Sequence, residues 1–113
     1  MIITRDEAAK LYAQKINALV RYTRRPPEPT QQIDLNCQID EDGVQKTDLV
    51  ARAIVKSVRP VGIQFYHASA AALKEHGFMS IHGLKRHIIR LYGDNIWESF
   101  KDGNIKISRI KFD

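Results

Sequence analysis

Two adjoining segments, His76-Gly77-Phe78-Met79-Ser80 and Leu84-Lys85-Arg86-His87-Ile88-Ile89-Arg90-Leu91-Tyr92-Gly93, decide how this chain is organised. Glycine adopts a positive φ at little cost, so Gly77 is expected to end a short helix. Ser80 is expected to cap the next helix, because its hydroxyl can accept a hydrogen bond from the first turn. From position 81 the apolar residues fall on one helical stripe, at 81, 84, 88, 91 and 92. The pattern therefore predicts a chain reversal followed by an amphipathic helix that ends at Gly93.

The polar face of this predicted helix is basic. Arg86 and Arg90 stand four residues apart, and His82 and His87 flank them. Residues four apart lie on one side of a helix, so the two arginines are expected to project together.

Length and composition indicate one soluble globular domain covering residues 1–113. Hydrophobic residues make up 43% and charged residues 27% of the 113 positions, and no apolar run is long enough to span a membrane or to form a secretory leader. The single Cys37 rules out an intrachain disulfide and favours a reducing compartment, so a cytoplasmic location is expected. The net charge of +5 favours polyanionic partners, although such a charge also serves colloidal solubility.

The N-terminal region predicts a helix. Thr4 and Glu7 form a capping box, so the helix should begin near Arg5. Its buried stripe is expected to contain Ala8, Leu11, Tyr12 and Ile16. Lys15 projects into that stripe, and it either extends its amine to solvent or points at a pocket.

The middle of the chain predicts β-strands. Residues 18–25 form the first strand, which the prolines at 26, 27 and 29 end. Apolar residues at 33, 35, 37 and 39 alternate with polar ones and predict a half-buried strand. Residues 40–43 form an acidic hairpin turn, and residues 44–61 are β-prone throughout.

The last third predicts helices and a final strand. Ser69 caps a short helix at 70–76, and Trp97 and Phe100 fall in a connecting segment before a turn at 101–104. Apolar residues of the last strand change phase along it, which predicts a bulge near Ser108-Arg109. The whole is expected to be α+β: a small mixed β-barrel with an N-terminal helix and a two-helix insertion before the last strand.

Metal and cofactor motifs are lacking. His82 and His87 are five residues apart, which does not align them on one helical face, and Cys37 is expected to be an inert buried thiol. No glycine-rich phosphate loop or nucleophile elbow occurs. We expect no metal and no cofactor, and a monomer is the default expectation.

The order of these motifs resembles the ASCH domain, a family of PUA-like β-barrels. The resemblance is carried by His76-Gly77-Phe78-Met79-Ser80, Arg90-Leu91-Tyr92-Gly93, Trp97 and Ile110-Lys111-Phe112, with residues 53–61 similar to the strand before the helical insertion. It implies a cleft between barrel and helices, approached by the segment after the first helix and by the residue before Gly77-Phe78.

Within that family, the acetylcytidine amidohydrolase branch places a lysine, a threonine and a glutamate at this cleft. In an alignment without gaps, Arg21 stands at the lysine position and Arg24 at the threonine position, and Thr23 lies one place before the threonine position. Arg25 likewise lies one place before a family arginine. His76 stands at the glutamate position, with Glu75 just before it. An arginine stays charged where a lysine can lose its proton, and an imidazole changes the pH range of proton transfer. Both substitutions argue against the same hydrolysis, unless Lys15 and Glu75 replace the missing groups.

The sequence therefore favours a binding module for RNA or a nucleotide-like ligand over an enzyme. A basic cleft is expected, formed by Arg21, Tyr22, Thr23, Arg24, Arg25, His76, Arg86 and Arg90. Tyr22, Tyr66 and Phe78 are the aromatic residues available for stacking on a base. His76 is expected to line the cleft and to make ligand affinity depend on pH between about 5 and 8. Two alternatives remain: an amidohydrolase or ribonuclease-like enzyme with catalytic candidates Lys15, Arg21, Thr23, Glu75 and His76, and a protein-interaction adaptor.

Overall fold

A single curled sheet organises the computed structural model, which describes all 113 residues. Its strands are β1 (Ile2–Ile3), β2 (Ala18–Arg21), β3 (Gln32–Glu41), β4 (Val44–Val61) and β5 (Ile107–Phe112). The strand order is β1-β3-β4-β5-β2, with β1 parallel to β3 and every other pair antiparallel. The sheet forms a half-barrel, and together with the helices it makes a small mixed α+β fold.

Five helices accompany the sheet: α1 (Arg5–Tyr12), α2 (Ile63–Ala68), α3 (Ala70–Glu75), α4 (Ile81–Tyr92) and α5 (Asp94–Lys101). Four of them lie between β4 and β5, so the predicted two-helix insertion is wrong. Trp97 and Phe100 belong to α5 and not to a connecting segment, and both are buried. Their spacing of three residues puts them on one helical face. No helix is both long and apolar enough to cross a membrane.

The predicted helix boundaries are largely confirmed. Thr4 and Glu7 form a complete capping box, and the Ser69 hydroxyl accepts a hydrogen bond from the Ala72 N–H. Gly77 has a φ of +83° and follows the C-cap of α3, where the chain turns towards α4. Ser80 stands at the N-cap of α4, but its side chain makes no capping hydrogen bond, so that part of the prediction is wrong.

The buried face of α1 differs from the predicted stripe. The helix ends at Tyr12, whose side chain is exposed, and Ile16 is buried from the loop that follows. Glu7 is buried beside Ala8 instead. A two-turn helix is too short to continue the stripe, so tertiary contacts and not helical periodicity decide which residues are buried.

The sheet has one long hairpin. The two-residue turn Asp42-Gly43, with φ values of +53° and +78°, joins β3 to β4 and confirms the predicted hairpin. Residues 44–54 of β4 pair with β3, and residues 55–61 pair with β5. β2 ends at Arg21, four residues earlier than predicted.

Strand β5 separates two hydrophobic cores. Ile107 packs into a core made mainly with the helices after β4, whereas Ile110 and Phe112 pack into a second core with α1 and β3. Adjacent β2 behaves in the same way, since Leu19 faces the second core and Val20 the first. The predicted bulge at Ser108-Arg109 is wrong, because the pairing register runs through these residues without a shift. The apolar residues change from one face of β5 to the other along the strand because both faces are buried, each against a different core.

Candidate functional site: a basic groove beside a buried charge network

A surface groove of about 360 Å³ lies between α1, the loop at 77–80 and α4. Its charged lining consists of Asp6, Lys10, Arg86 and Arg90, which leaves two positive charges in excess. Lys10 Nζ lies 3.0 Å from an Asp6 carboxylate oxygen and 5.0 Å from the centre of the Phe78 ring. The groove therefore has one cation that is already paired and two arginines.

Arg86 and Arg90 are exposed, and neither forms an ion pair. They occur four residues apart on α4, so the helix projects both guanidinium groups along the same side. A planar guanidinium donates two parallel hydrogen bonds to a phosphate or carboxylate. The groove can therefore bind an anion without first breaking an internal ion pair of either arginine.

Arg21, in contrast, is held in a buried network. Its Nη1 donates to Glu7 Oε2 at 2.8 Å and its Nη2 donates to Glu7 Oε1 at 2.7 Å, a two-pronged pair. The same guanidinium also donates to the carbonyls of Val20 and Ile2, at 2.7 and 3.1 Å. His87 Nε2 lies 3.2 Å from Glu7 Oε2. These contacts occupy the Arg21 guanidinium inside the fold. Arg21 is therefore a buried structural residue and is not exposed to bind a ligand as predicted.

The network fixes the charge of Glu7. Burial alone would raise the pKa of this carboxyl group, but the hydrogen bonds from His87 and Arg21, the charge of Arg21 and the Thr4 N–H together lower the pKa to about 2. Glu7 is therefore ionised at neutral pH and balances the charge of Arg21.

His76 lies in the interior, so the prediction that it lines an open cleft is wrong. The residue is only 3% exposed to solvent, and its Nε2 lies 2.9 Å from the Tyr66 hydroxyl. Nδ1 has no hydrogen-bond partner of ordinary geometry, although the Ala18 backbone favours the charged ring. A gap that His76 shares with Glu7 and His87 behind Phe78 has no room for a water molecule.

The protonation of His76 differs from its predicted behaviour. Burial lowers the pKa of His76 to about 4, and the positive charge of Arg109 adds to this effect, whereas the Ala18 backbone and the charge of Glu75 oppose it. With that pKa the imidazole is neutral between pH 5 and 8, so its titration is not expected to make ligand affinity depend on pH in that range. Burial raises the pKa of Tyr66, which keeps its hydroxyl protonated beside the imidazole.

Glu75 points to a different side from the basic groove. Its carboxylate accepts a hydrogen bond from Arg109 and lies 3.3 Å from Lys111 Nζ. Burial tends to raise its pKa, but these two cations lower it below the ordinary value. Glu75 and Lys15 line a second, shallow groove of about 310 Å³, so the structure does bring these two enzyme candidates together.

The segment after β2 is exposed and lies against the end of α4. The Tyr22 N–H donates to the Tyr92 hydroxyl at 2.9 Å, and the two rings meet edge to face at 6.1 Å. Thr23 Oγ1 accepts a hydrogen bond from the Arg25 N–H at 3.2 Å, and both arginines of this segment, Arg24 and Arg25, are exposed.

Of the eight residues predicted to bind a ligand, two, Arg86 and Arg90, line the basic groove. Sequence reasoning missed Lys10, Glu7 and His87. A signal existed for Lys10, which follows Asp6 by four residues on α1. Helical spacing also offered a signal for His87, which stands three residues after Leu84 and four before Leu91 at the border of the apolar stripe; His87 is buried, whereas His82 is exposed. No group of three or more His, Cys, Asp or Glu side chains is placed to hold a metal ion.

Comparisons of the chain with protein-family models, with curated proteins and with solved structures return no match.

Proposed function

We propose that the protein binds RNA or a nucleotide-like ligand in the groove formed by Lys10, Arg86 and Arg90. The observation that carries this proposal is the pair of exposed arginines, free of ion pairs, beside a groove of about 360 Å³. The free-energy cost of removing a phosphate from water is offset by two-pronged hydrogen bonds from arginine. The excess positive charge of the groove attracts polyanions.

The resemblance to the ASCH family supports the same conclusion. We propose that the half-barrel is of the PUA-like type, since Gly77-Phe78 and Tyr92-Gly93 stand at the two ends of the region that forms one wall of the groove. For stacking on a base, Tyr22 is the remaining aromatic candidate. Tyr22 is 40% exposed, whereas Tyr66 and Phe78 are 1% and 7% exposed and belong to the core.

The enzyme alternative has one observation in its favour, the shared groove of Lys15 and Glu75. A general acid must carry a proton at the working pH, yet the pKa of Glu75 is lowered by Arg109 and Lys111. Glu75 is thus better suited to accept hydrogen bonds than to donate a proton. Release of acetate from acetylcytidine, abolished by Glu75→Gln, would favour the enzyme over the binding module.

The proposal is tested by titrating fluorescently labelled single-stranded RNA and a labelled nucleoside monophosphate into the protein at several salt concentrations. Arg86→Ala and Arg90→Ala should each weaken RNA binding. If each arginine neutralises one phosphate, each variant should also reduce the slope of log affinity against log salt by about 0.7.

Arg52→Ala is the matched control. It removes the same charge from an exposed arginine on β4 that does not line the groove and that lies 3.2 Å from Asp34. Equal losses in Arg52→Ala and Arg86→Ala would indicate general attraction to the net charge. Binding of neither probe at low salt would refute the proposal, and nuclease-resistant capture of a protein would then support the adaptor alternative.

A further inference from the structure

One edge of the long hairpin has no neighbour in the fold. Residues 44–54 of β4 pair with β3 on one side, whereas pairing with β5 begins only at Val55. The Ile54 carbonyl on that side accepts a hydrogen bond from the Asp113 N–H, so the other side of β4 is open along residues 44–53. All residues from Val44 to Leu49 are exposed, and Val44 and Leu49 are 58% and 47% exposed.

The hairpin geometry determines which backbone groups face the open edge. Across a two-residue turn the flanking residues Glu41 and Val44 bond to each other, and the pattern then alternates along the strands. Gln45, Thr47 and Leu49 therefore direct their N–H and C=O groups away from β3. The opposite edge of the ribbon confirms this alternation, because the Asn36 N–H donates outward, to the Met1 carbonyl.

The usable edge ends at Val50. Asn36 pairs with Leu49 and Leu35 with Ala51, so Val50 has no partner on β3 and the alternation changes there. The outward-facing groups in regular register are thus those of Gln45, Thr47 and Leu49, a set centred on Thr47.

This edge is complementary to itself. When two antiparallel copies are placed about a two-fold axis at Thr47, Thr47 faces its own equivalent and Gln45 faces Leu49. Lys46 then faces Asp48 of the second copy, and the symmetry repeats that opposite-charge pair on the other side of the axis. All three outward-facing residues find outward-facing partners, so their N–H and C=O groups can form a continuous ladder.

We propose that two copies of this chain associate through the β4 edges at residues 45–49 and form one sheet across both half-barrels. Charge complementarity and the backbone alternation both select this register. A register centred on Val50 also opposes unlike charges, Asp48 and Arg52, but it crosses the shift in register and would set outward groups against inward ones. The short contact implies a weak dimer that forms at high protein concentration.

Charge swapping tests the register. Sedimentation equilibrium should show a concentration-dependent dimer for the natural chain. K46D and D48K should each weaken dimerisation by about tenfold or more, because each places like charges opposite each other twice. An equimolar mixture of K46D and D48K should dimerise again, since every facing pair between the two variants is then of opposite charge.

Two further variants separate the edge from general effects. K56D makes the same charge change as K46D at an exposed residue of β4 outside the open edge, and it should dimerise like the natural chain. Thr47→Pro removes an N–H that makes no bond within the fold, and it should prevent dimerisation. A natural chain that stays monomeric at about 1 mM would overturn the proposal. So would a mixture of K46D and D48K that dimerises no better than either variant alone.

Discussion

Replacing Glu7 by glutamine should remove one of the largest single electrostatic contributions to folding. The amide keeps the size of the side chain but leaves the buried charge of Arg21 unbalanced. The pKa of Glu7 falls from 4.5 to about 2, and each pKa unit corresponds to about 1.4 kcal/mol, so the carboxylate contributes about 3 kcal/mol. Breaking one partner of a buried ion pair typically costs about 3–5 kcal/mol, which agrees in size.

The pH dependence has a definite sign. The pKa of Glu7 in the folded state lies below its unfolded value, so the contribution is complete above about pH 4.5 and is lost as the pH falls towards 2. Urea unfolding of the natural chain and of Glu7→Gln should therefore give free energies that differ by about 3 kcal/mol at pH 7 and that converge only near pH 2.

Two comparisons complete this experiment. Glu98→Gln breaks a solvent-exposed pair with Lys101 and should change the free energy of unfolding far less than Glu7→Gln does. Adding Arg21→Met to Glu7→Gln should recover part of the loss, because the unbalanced buried charge is then gone. A loss below about 1 kcal/mol for Glu7→Gln at pH 7, or a difference that does not depend on pH, would refute the reasoning.

Three further changes test other parts of the fold by urea unfolding. The natural chain should lose about 3 kcal/mol of stability as the pH falls from 6.5 to 4, because the unfolded chain accepts a proton on His76 that the buried ring resists. His76→Gln should abolish this loss, and an unchanged pH profile in the variant would contradict the assignment. Gly77→Ala should lower the free energy of unfolding more than Gly103→Ala does. Both glycines have a positive φ, but the new methyl group at 77 would lie within 2.8 Å of side-chain carbons, whereas that at 103 has free space. Equal losses in the two variants would exclude the close approach. Phe100→Ala should cost about 3–5 kcal/mol, as this ring is fully buried, and a loss near zero would mean that α5 is not packed as described.

Local signals in the sequence predict much of the fold. The capping box at Thr4, the turn at Asp42-Gly43 and the reversal at Gly77 each depend on residues close together in the chain, and the structure contains all three. Helix α5 was missed because it begins after Gly93, which supplies no capping side chain, whereas the equally short α1 is signalled by its capping box. The bulge near Ser108 was predicted wrongly because periodicity assumes one buried face, whereas β5 is buried on both.

The candidate site was harder to predict, because it depends on contacts between distant segments. Glu7 was recognised as a capping residue, but nothing local shows that Arg21, fourteen residues later, meets it in the interior. The resemblance placed His76 at a cleft, yet the Tyr66 hydroxyl and the surrounding core bury it. Arg86 and Arg90 were assigned to an exposed face correctly, since helical spacing alone places them there.

The position of β5 between two cores has a consequence for the order in which the chain acquires its structure. Strand β2 is bonded to the sheet only through β5, although about 85 residues separate them and loops of that length close slowly. While the chain is being synthesised, β2 has no sheet neighbour and both cores lack a wall. The helices after β4 can form locally in that period, but cooperative folding must wait until residues 107–112 have left the ribosome. A chain truncated before β5 should therefore leave both cores incomplete and bind chaperones.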